Sequence, residues 1–315
     1  MENCFRVNGM MEDQTFREKL SEEVEGEVFF DEPMDRYTSI RVGGKADVLV
    51  CPQSVEALRR VILYCRNCNK PFLPVGNWTN LIVRDGGYRG VIISMKRLQS
   101  VTWDMGRKGS VLVSAQAGVS LAEVVRMAAR DAFTGMEFCA GIPGSIGGAV
   151  IMNAGAYGKE IRDVLKEVTL MNERGEIVRR KKKELSFEYR KLNLPEEMIV
   201  VGAAFSLEKG DPVKIRERVA EILEKRRQKH PLEYPNAGSI FKNPKNKPAG
   251  QIIEEAGLKG VRIGDAKISE KHGNFIVNLG NARAADIVAL MDLTKKKVRE
   301  QMGISLETEV RIIGE

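Results

Sequence analysis

Residues 140–158 read Ala-Gly-Ile-Pro-Gly-Ser-Ile-Gly-Gly-Ala-Val-Ile-Met-Asn-Ala-Gly-Ala-Tyr-Gly, and this stretch decides the fold. Six of its residues are glycine, and none is charged before Lys159. Glycine costs roughly 0.5–1 kcal/mol relative to alanine in regular structure, so a cluster needs a reason. One reason is close approach of backbone N–H groups to the phosphates of a nucleotide. The other is a set of tight turns. A Rossmann fingerprint needs a strand, GxGxxG and a helix. Here Pro143 and the Gly147–Gly148 pair are expected to interrupt any helix entry. A P-loop needs GK followed by Ser or Thr, and Gly158-Lys159 is followed by Glu160.

Two loops of the same kind lie upstream. Phe72 to Val75 reads as a short strand before Gly76-Asn77-Trp78-Thr79-Asn80-Leu81. Arg41-Val42-Gly43-Gly44-Lys45 precedes a strand from Asp47 to Val50. Three such turns beside apolar strands imply one extended ligand of dinucleotide size.

Strands and helices alternate through the rest of the chain. Ser54 caps a helix containing Leu58, Ile62 and Cys65; Val91 to Ser94 and Val111 to Ala115 are strands. Ser120 and Glu123 form a capping box for a helix reaching Arg130. A hairpin turns at Asn172 to Gly175, and Ile199 to Phe205 is a strand. Asp211-Pro212 opens a helix with the stripe Ile215, Val219, Ile222 and Leu223. A helix from Ala249 ends at Gly257, a strand covers Asn274 to Asn278, and a long helix runs from Ala284 to Met302. Its buried stripe is Ile287, Leu290, Met291, Thr294 and Val298. A closing strand covers Leu306 to Ile313. The class is α+β with mixed sheets. The expected division is a helical arm (1–36), two lobes (37–95 and 96–208) and a C-terminal α/β unit (209–315).

Composition narrows the class. At 43% apolar and 30% charged, the 315-residue chain is that of an ordinary globular protein. No run of 18 apolar residues occurs, and the first twenty residues mix both charges, so neither a membrane span nor a secretory signal is expected. Five cysteines, an odd number, fit free thiols in a reducing cytosol. The net charge of +7 gathers partly in Arg179 to Lys183, read as a solvated edge, and in Lys225 to His230, which closes a helix. No nucleic-acid partner is expected. The second cluster would help capture an anionic substrate.

Some residues invite chemistry. Ser239 lies in a loop after Gly238; no GxSxG elbow surrounds it, so a hydrolase triad has little support and a loop serine bonded to backbone is the bland reading. Arg190 closes Phe187-Glu188-Tyr189-Arg190, as a structural ion pair or an anion contact. Glu307 and Glu309 stand two apart in the closing strand, so both face one side and alternation cannot choose between them. Cys65 and Cys68 have CxxC spacing without a second pair, and His272 has no ligand set around it, so no metal site is expected. Cys139 reads as packed.

The glycine loops resemble the FAD-binding domain of the vanillyl-alcohol-oxidase superfamily, which holds the flavin pyrophosphate on loops. The Phe187–Arg190 segment, Tyr234-Pro235-Asn236-Ala237-Gly238-Ser239-Ile240-Phe241-Lys242-Asn243-Pro244 and Leu306-Glu307-Thr308-Glu309-Val310 resemble, in order, the active-site segments of the UDP-N-acetylenolpyruvoylglucosamine reductase family. The resemblance runs from about Tyr37 to Gly314. It implies a cytoplasmic, monomeric oxidoreductase of cell-wall synthesis. FAD would be non-covalent, NADPH the co-substrate and UDP-N-acetylglucosamine enolpyruvate the substrate. Implied catalytic residues are Ser239 as proton donor to the substrate's α-carbon, with Arg190 and Glu309 stabilising its carboxylate. Glu307 becomes a solvated neighbour.

Implied FAD contacts are Arg41, Gly43, Gly44, Gly76, Asn77, Thr79, Asn80, Leu81, Gly118, Gly141, Ile142, Pro143, Gly144, Ser145, Gly147, Gly148, Asn153 and Gly155. Implied substrate contacts are Tyr189, Arg226, Lys229, Tyr234 and Asn243. Trp78 departs from the family, which carries glycine there; a tryptophan does not take positive φ cheaply. Two other outcomes stay open: an oxidase of the same superfamily, and a flavin or sugar-nucleotide sensor without turnover.

Overall fold

The computed structural model describes residues 14–22, 24–106 and 109–315. Three larger sheets, each packed with helices, carry the chain beside three two-stranded ones, and the class is α+β as expected. The first sheet runs Gly26–Pro33, Lys45–Pro52, Tyr88–Ser94, Phe72–Val75. Its first pair is antiparallel and the others are parallel. The helix Val55–Asn67 makes the crossover, capped by Ser54 Oγ accepting from the Ala57 N–H at 3.0 Å. It buries Leu58, Val61, Ile62 and Cys65, the face its periodicity gave.

The expected helical arm is corrected here. Residues 1–13 of it lie outside the described residues. Residues 14–22 are helical, but Gly26–Pro33 is a full strand of the first sheet. Phe16, Leu20 and Val24 are buried against Leu58 and Ile62, so the segment is core rather than periphery. Glu27, Phe29 and Phe30 are exposed, and this partly solvated edge masks the alternation that would have marked a strand.

The second sheet is antiparallel, ordered Ile177–Lys181, Leu165–Met171, Ile199–Lys209, Ser110–Gln116, Val101–Met105. The helices Leu121–Arg130 and Ile146–Ile151 cover one face. Ser120 precedes the first of these, yet its side chain makes no cap hydrogen bond, so the capping box is absent. The second helix overturns the expected interruption. Gly147 and Gly148 sit in its first turn, and Ser145 Oγ accepts from the Gly148 N–H at 3.4 Å. Leu223, expected on a buried stripe, is 46% exposed on the helix Pro212–Lys229; Ile215 and Ile222 are its buried residues.

The third sheet, Arg262–Ile263, Ala266–Ile268 and Ile276–Asn278, packs with the helices Ala249–Glu255 and Ala284–Met302. All five stripe residues of the long helix are buried. Asp85 accepts from the Ala284 and Ala285 N–H groups, both at 2.9 Å, and so caps the long helix from outside. The final strand is shorter than expected, Arg311–Ile313, and runs parallel to Leu81–Val83. Ahead of it Thr308 makes only an isolated bridge to Phe241. Glu307 and Glu309 are therefore outside a strand and do not share a face.

Candidate active site

Arg190 turns the short hairpin Ser186–Glu188/Lys191–Asn193 with φ of 59°. Fully buried Asn153 fixes that hairpin: its amide donates to Glu188 O and Glu160 Oε2, each at 3.0 Å, and its oxygen accepts from the Arg162 N–H. The Asn153 side chain, expected at the cofactor, is therefore spent inside the protein. Arg190 Nε stands 3.1 Å from Glu309 Oε1, with both side chains under a fifth exposed. The contact is one of charge, because that N–H is buried and not aligned for a hydrogen bond. The Tyr189 ring lies 5.0 Å from the Arg190 guanidinium.

Glu309 is held through its own backbone. Its N–H donates to Ile240 O at 2.8 Å, and Asn80 Nδ2 donates to its carbonyl at 3.1 Å. Ser239 directly precedes Ile240, so the serine and glutamate segments run side by side. Gly238, with φ of 75°, makes the turn before Ser239, and its N–H bonds Asn236 Oδ1. Burial pushes the Glu309 carboxyl above the ordinary value, while Arg190 and then Lys242 oppose the shift. Glu307 points away, 71% exposed and paired with Lys242.

The glycine loops meet each other. A Cβ on Gly76 would lie 2.1 Å from Ser145 Oγ, and Thr79 Oγ1 donates to Pro143 O at 3.3 Å. The glycines mostly serve chain against chain. A Cβ would strike Val83 from Gly43, Asp85 from Gly44, Met95 from Gly118, Arg226 from Gly141, Ala117 from Gly147 and Lys159 from Gly155. Gly144 and Gly148 differ, with no neighbour nearer than 3.5 Å. Ile142 is half-buried beside them, and Leu81 is buried and pairs Arg311. Arg41 is exposed at φ of 56°, its carbonyl bonded by Asn278 Nδ2. Trp78 does take positive φ, 59°; it is 5% exposed and packs on Tyr37, and that burial offsets a cost of about 1–3 kcal/mol.

Two observations fit FAD to this cradle. Among the described residues, the N–H groups of Asn77, Trp78, Thr79 and Asn80 have no hydrogen-bond partner in the protein. Successive free N–H groups make an anion-binding nest. The buried Nε of Arg226 likewise lacks a hydrogen-bond partner. Arg226 Nη1 bonds Gly141 O at 3.1 Å, joining the helix Pro212–Lys229 to the glycine loop. Burial pushes the Cys139 thiol up, so it is not the low-pKa thiol that covalent attachment would use.

Of the expected substrate residues, Lys229 is exposed, and Tyr189 and Tyr234 are each 44% exposed. Asn243 Oδ1 accepts from the Ala249 N–H, so it caps the helix Ala249–Glu255. Sequence reasoning missed Lys242, Tyr157, Asn274 and Asn278. Tyr157 has φ of 54° and lies 5.8 Å from the Arg218 guanidinium. Among the described residues no cluster of metal-binding side chains occurs. A trough of about 1350 Å³ lies elsewhere, on the open face of the second sheet; it contains none of Arg190, Ser239 and Glu309.

Fold and cradle define an FAD-binding protein, and residues 46–181 match the FAD binding domain family. Residues 230–313 match the C-terminal domain of UDP-N-acetylenolpyruvoylglucosamine reductase. The chain is 54% identical over 306 residues to the UDP-N-acetylenolpyruvoylglucosamine reductase of Syntrophus aciditrophicus, covering 97% of this chain and 98% of that one. It is 43% identical to a Streptococcus pneumoniae enzyme of the same name, over 95% and 98% of the two chains. The crystal structure of the Thermus caldophilus reductase superposes with a TM-score of 0.77 at 36% identity, over 92% of this chain and 99% of that one. The chain belongs to the UDP-N-acetylenolpyruvoylglucosamine reductase family.

Proposed function

We propose that this chain reduces UDP-N-acetylglucosamine enolpyruvate to UDP-N-acetylmuramate, an FAD-dependent step of peptidoglycan precursor synthesis that uses NADPH. The observation that carries the reading is the buried Arg190–Glu309 pair on backbone shared with the Ser239 loop. FAD, when bound, supplies hydride transfer from NADPH to the methylene carbon of the enolpyruvyl ether. Residues 76–80 and 142–148, with Gly43 and Gly44, would hold it.

The protein's own residues manage the charge that follows. Hydride addition pushes negative charge into the substrate carboxylate. The Arg190 guanidinium supplies a fixed, planar, positive donor there. Glu309, its carboxyl raised by burial, can keep a proton and donate rather than repel. Ser239 Oγ–H gives its proton to the α-carbon. Arg226, Lys229, Tyr234, Asn243 and Tyr189 line the approach for the sugar nucleotide, with the cations matching its phosphates. Lobes over 14–95 and 96–208 and a substrate unit over 209–315 are the proposed division, the first lobe including the strand Gly26–Pro33. A monomer in the cytoplasm is the proposed state; among the described residues no helix is long and apolar enough to cross a membrane.

Absorbance spectroscopy tests the reading. The purified protein should be yellow, with flavin released on denaturation. NADPH should bleach it, and UDP-N-acetylglucosamine enolpyruvate should restore the colour without oxygen. Recovery only with oxygen would make it an oxidase. A colourless protein that FAD cannot reconstitute would remove the function altogether.

A further inference from the structure

Asn274 is 3% exposed, and its side chain faces protein backbone on both polar atoms. Its Oδ1 accepts from the Phe241 N–H at 2.9 Å, and its Nδ2 donates to Phe241 O at 2.8 Å. Its own carbonyl accepts from the Ile240 N–H at 2.9 Å. One residue thus makes three hydrogen bonds to the two residues after Ser239. On their other side, Ile240 O accepts from the Glu309 N–H and the Lys242 N–H donates to Glu307 O, both at 2.8 Å. The segment Ile240–Lys242 is threaded between Asn274 and the segment Glu307–Glu309. The Asn274 side chain acts there as a substitute strand.

Asn274 itself is held rigidly. Its N–H donates to His272 Nδ1 at 3.2 Å. A Cβ on neighbouring Gly273 would lie 2.5 Å from Gly250 O, so the turn is pressed against the helix Ala249–Glu255. We propose that Asn274 is a positioning residue, setting the serine proton donor and the Glu309 carboxyl in one register by clamping the backbone between them. The proposal rests on the roles given to Ser239 and Glu309 above. Carboxamide chemistry is required: an acceptor and a donor side by side. An aspartate supplies both only while protonated.

Rapid-mixing absorbance on FAD-loaded wild type, Ser239→Ala, Asn274→Ala and Asn274→Asp separates the halves of the reaction. Asn274→Ala should keep FAD content, with bleaching by NADPH within about threefold, and slow recovery with UDP-N-acetylglucosamine enolpyruvate by about 10²-fold, the order expected of a misplaced catalytic group. In Asn274→Asp the recovery rate, relative to wild type, should fall as pH rises from about 6 to 9, because burial raises the new carboxyl and its proton is then lost. Equal slowing of both halves, or a pH-independent ratio, overturns the proposal. So does failure of both variants to accumulate as FAD-bound protein at about pH 6, which would make the amide a fold determinant. If wild type itself bleaches but does not recover, the assigned function falls instead. Ser239→Ala gives the rate expected when the proton donor is lost outright.

Discussion

The glycine crevice and the Arg190–Glu309 corner are built by opposite rules. The crevice is made of two short loops and of backbone: residues 76–80 face 143–148, and its glycines admit one chain to another. The corner brings together the Arg190 and Glu309 side chains, with the Ser239 loop beside Glu309, and no local motif positions them. Arg190 depends on Asn153, and Glu309 on Asn80 and Ile240. Dense glycine marks where chain meets chain as well as where ligand meets chain. The side chains of the corner are located by the remote backbone they borrow.

The largest expected effect tests the corner. Glu309→Gln removes the carboxyl beside Arg190, and turnover should fall by about 10²–10³-fold, the size of a lost charge stabiliser. Arg190→Lys should fall similarly, since an ammonium cannot reproduce the planar fork. Glu307→Gln breaks only an exposed pair with Lys242, worth ~0–1 kcal/mol, so turnover should change by less than about fivefold. Steady-state rates of the three variants decide it; equal loss in the two glutamate variants would undo the contrast between them.

A smaller effect divides the crevice itself. A Cβ on Gly147 would lie 2.8 Å from Ala117 Cβ, so Gly147→Val should destabilise by about 1–3 kcal/mol through overpacking. Gly148→Ala meets nothing nearer than Ser145 Oγ at 3.5 Å and should leave stability unchanged or slightly higher. Flavin loss from Gly148→Ala at unchanged melting temperature would assign that position to ligand approach. Flavin loss only in Gly147→Val, in step with unfolding, would leave both glycines structural.

Much of this was legible before the structure, and the failures share a cause. Helices with one apolar stripe, such as Ala284–Met302, were readable because 3.6-residue periodicity survives in one chain segment. The three segments around Arg190, Ser239 and Glu309 were singled out by a resemblance in their order. Alternation failed at Glu307 and Glu309 because the strand begins only at Arg311. Gly147 entered a helix against its propensity because tertiary contact with Ala117 rewards the absence of a side chain, and Gly148 follows it with its N–H on the Ser145 cap. Trp78 takes positive φ because its ring is buried on Tyr37. Asn274 carried no signal, since an asparagine before Phe275-Ile276-Val277 reads as a strand border until its partner at Phe241 is known.

The smallest expected effect concerns the element that joins the two regions. The helix Pro212–Lys229 reaches the crevice through Arg226 and Gly141, and it ends at His230. The His230 ring lies 4.9 Å from Phe275 and 5.5 Å from His272, next to the Asn274 clamp, and Lys271 Nζ donates to Arg227 O on the same helix. Burial, then Arg226, His272, Lys271 and Lys229, push His230 down to about 4. His272 is lowered too, chiefly by burial, with Lys259 acting in the same direction and Glu254 against it. The unfolded chain therefore binds these protons more readily than the folded one. Stability is unaffected above the ordinary histidine range and falls as pH drops from about 6.5 towards 4. His230→Phe keeps a ring against Phe275 and removes the titration. Its melting temperature should fall less than that of wild type between about pH 7 and pH 5, by a few degrees, at about 2–4 °C per kcal/mol. Partial exposure of His230 sets the effect at the low end. Identical acid limbs in the two proteins would mean that His230 charges without strain, and that the joint between crevice and corner is insensitive to pH.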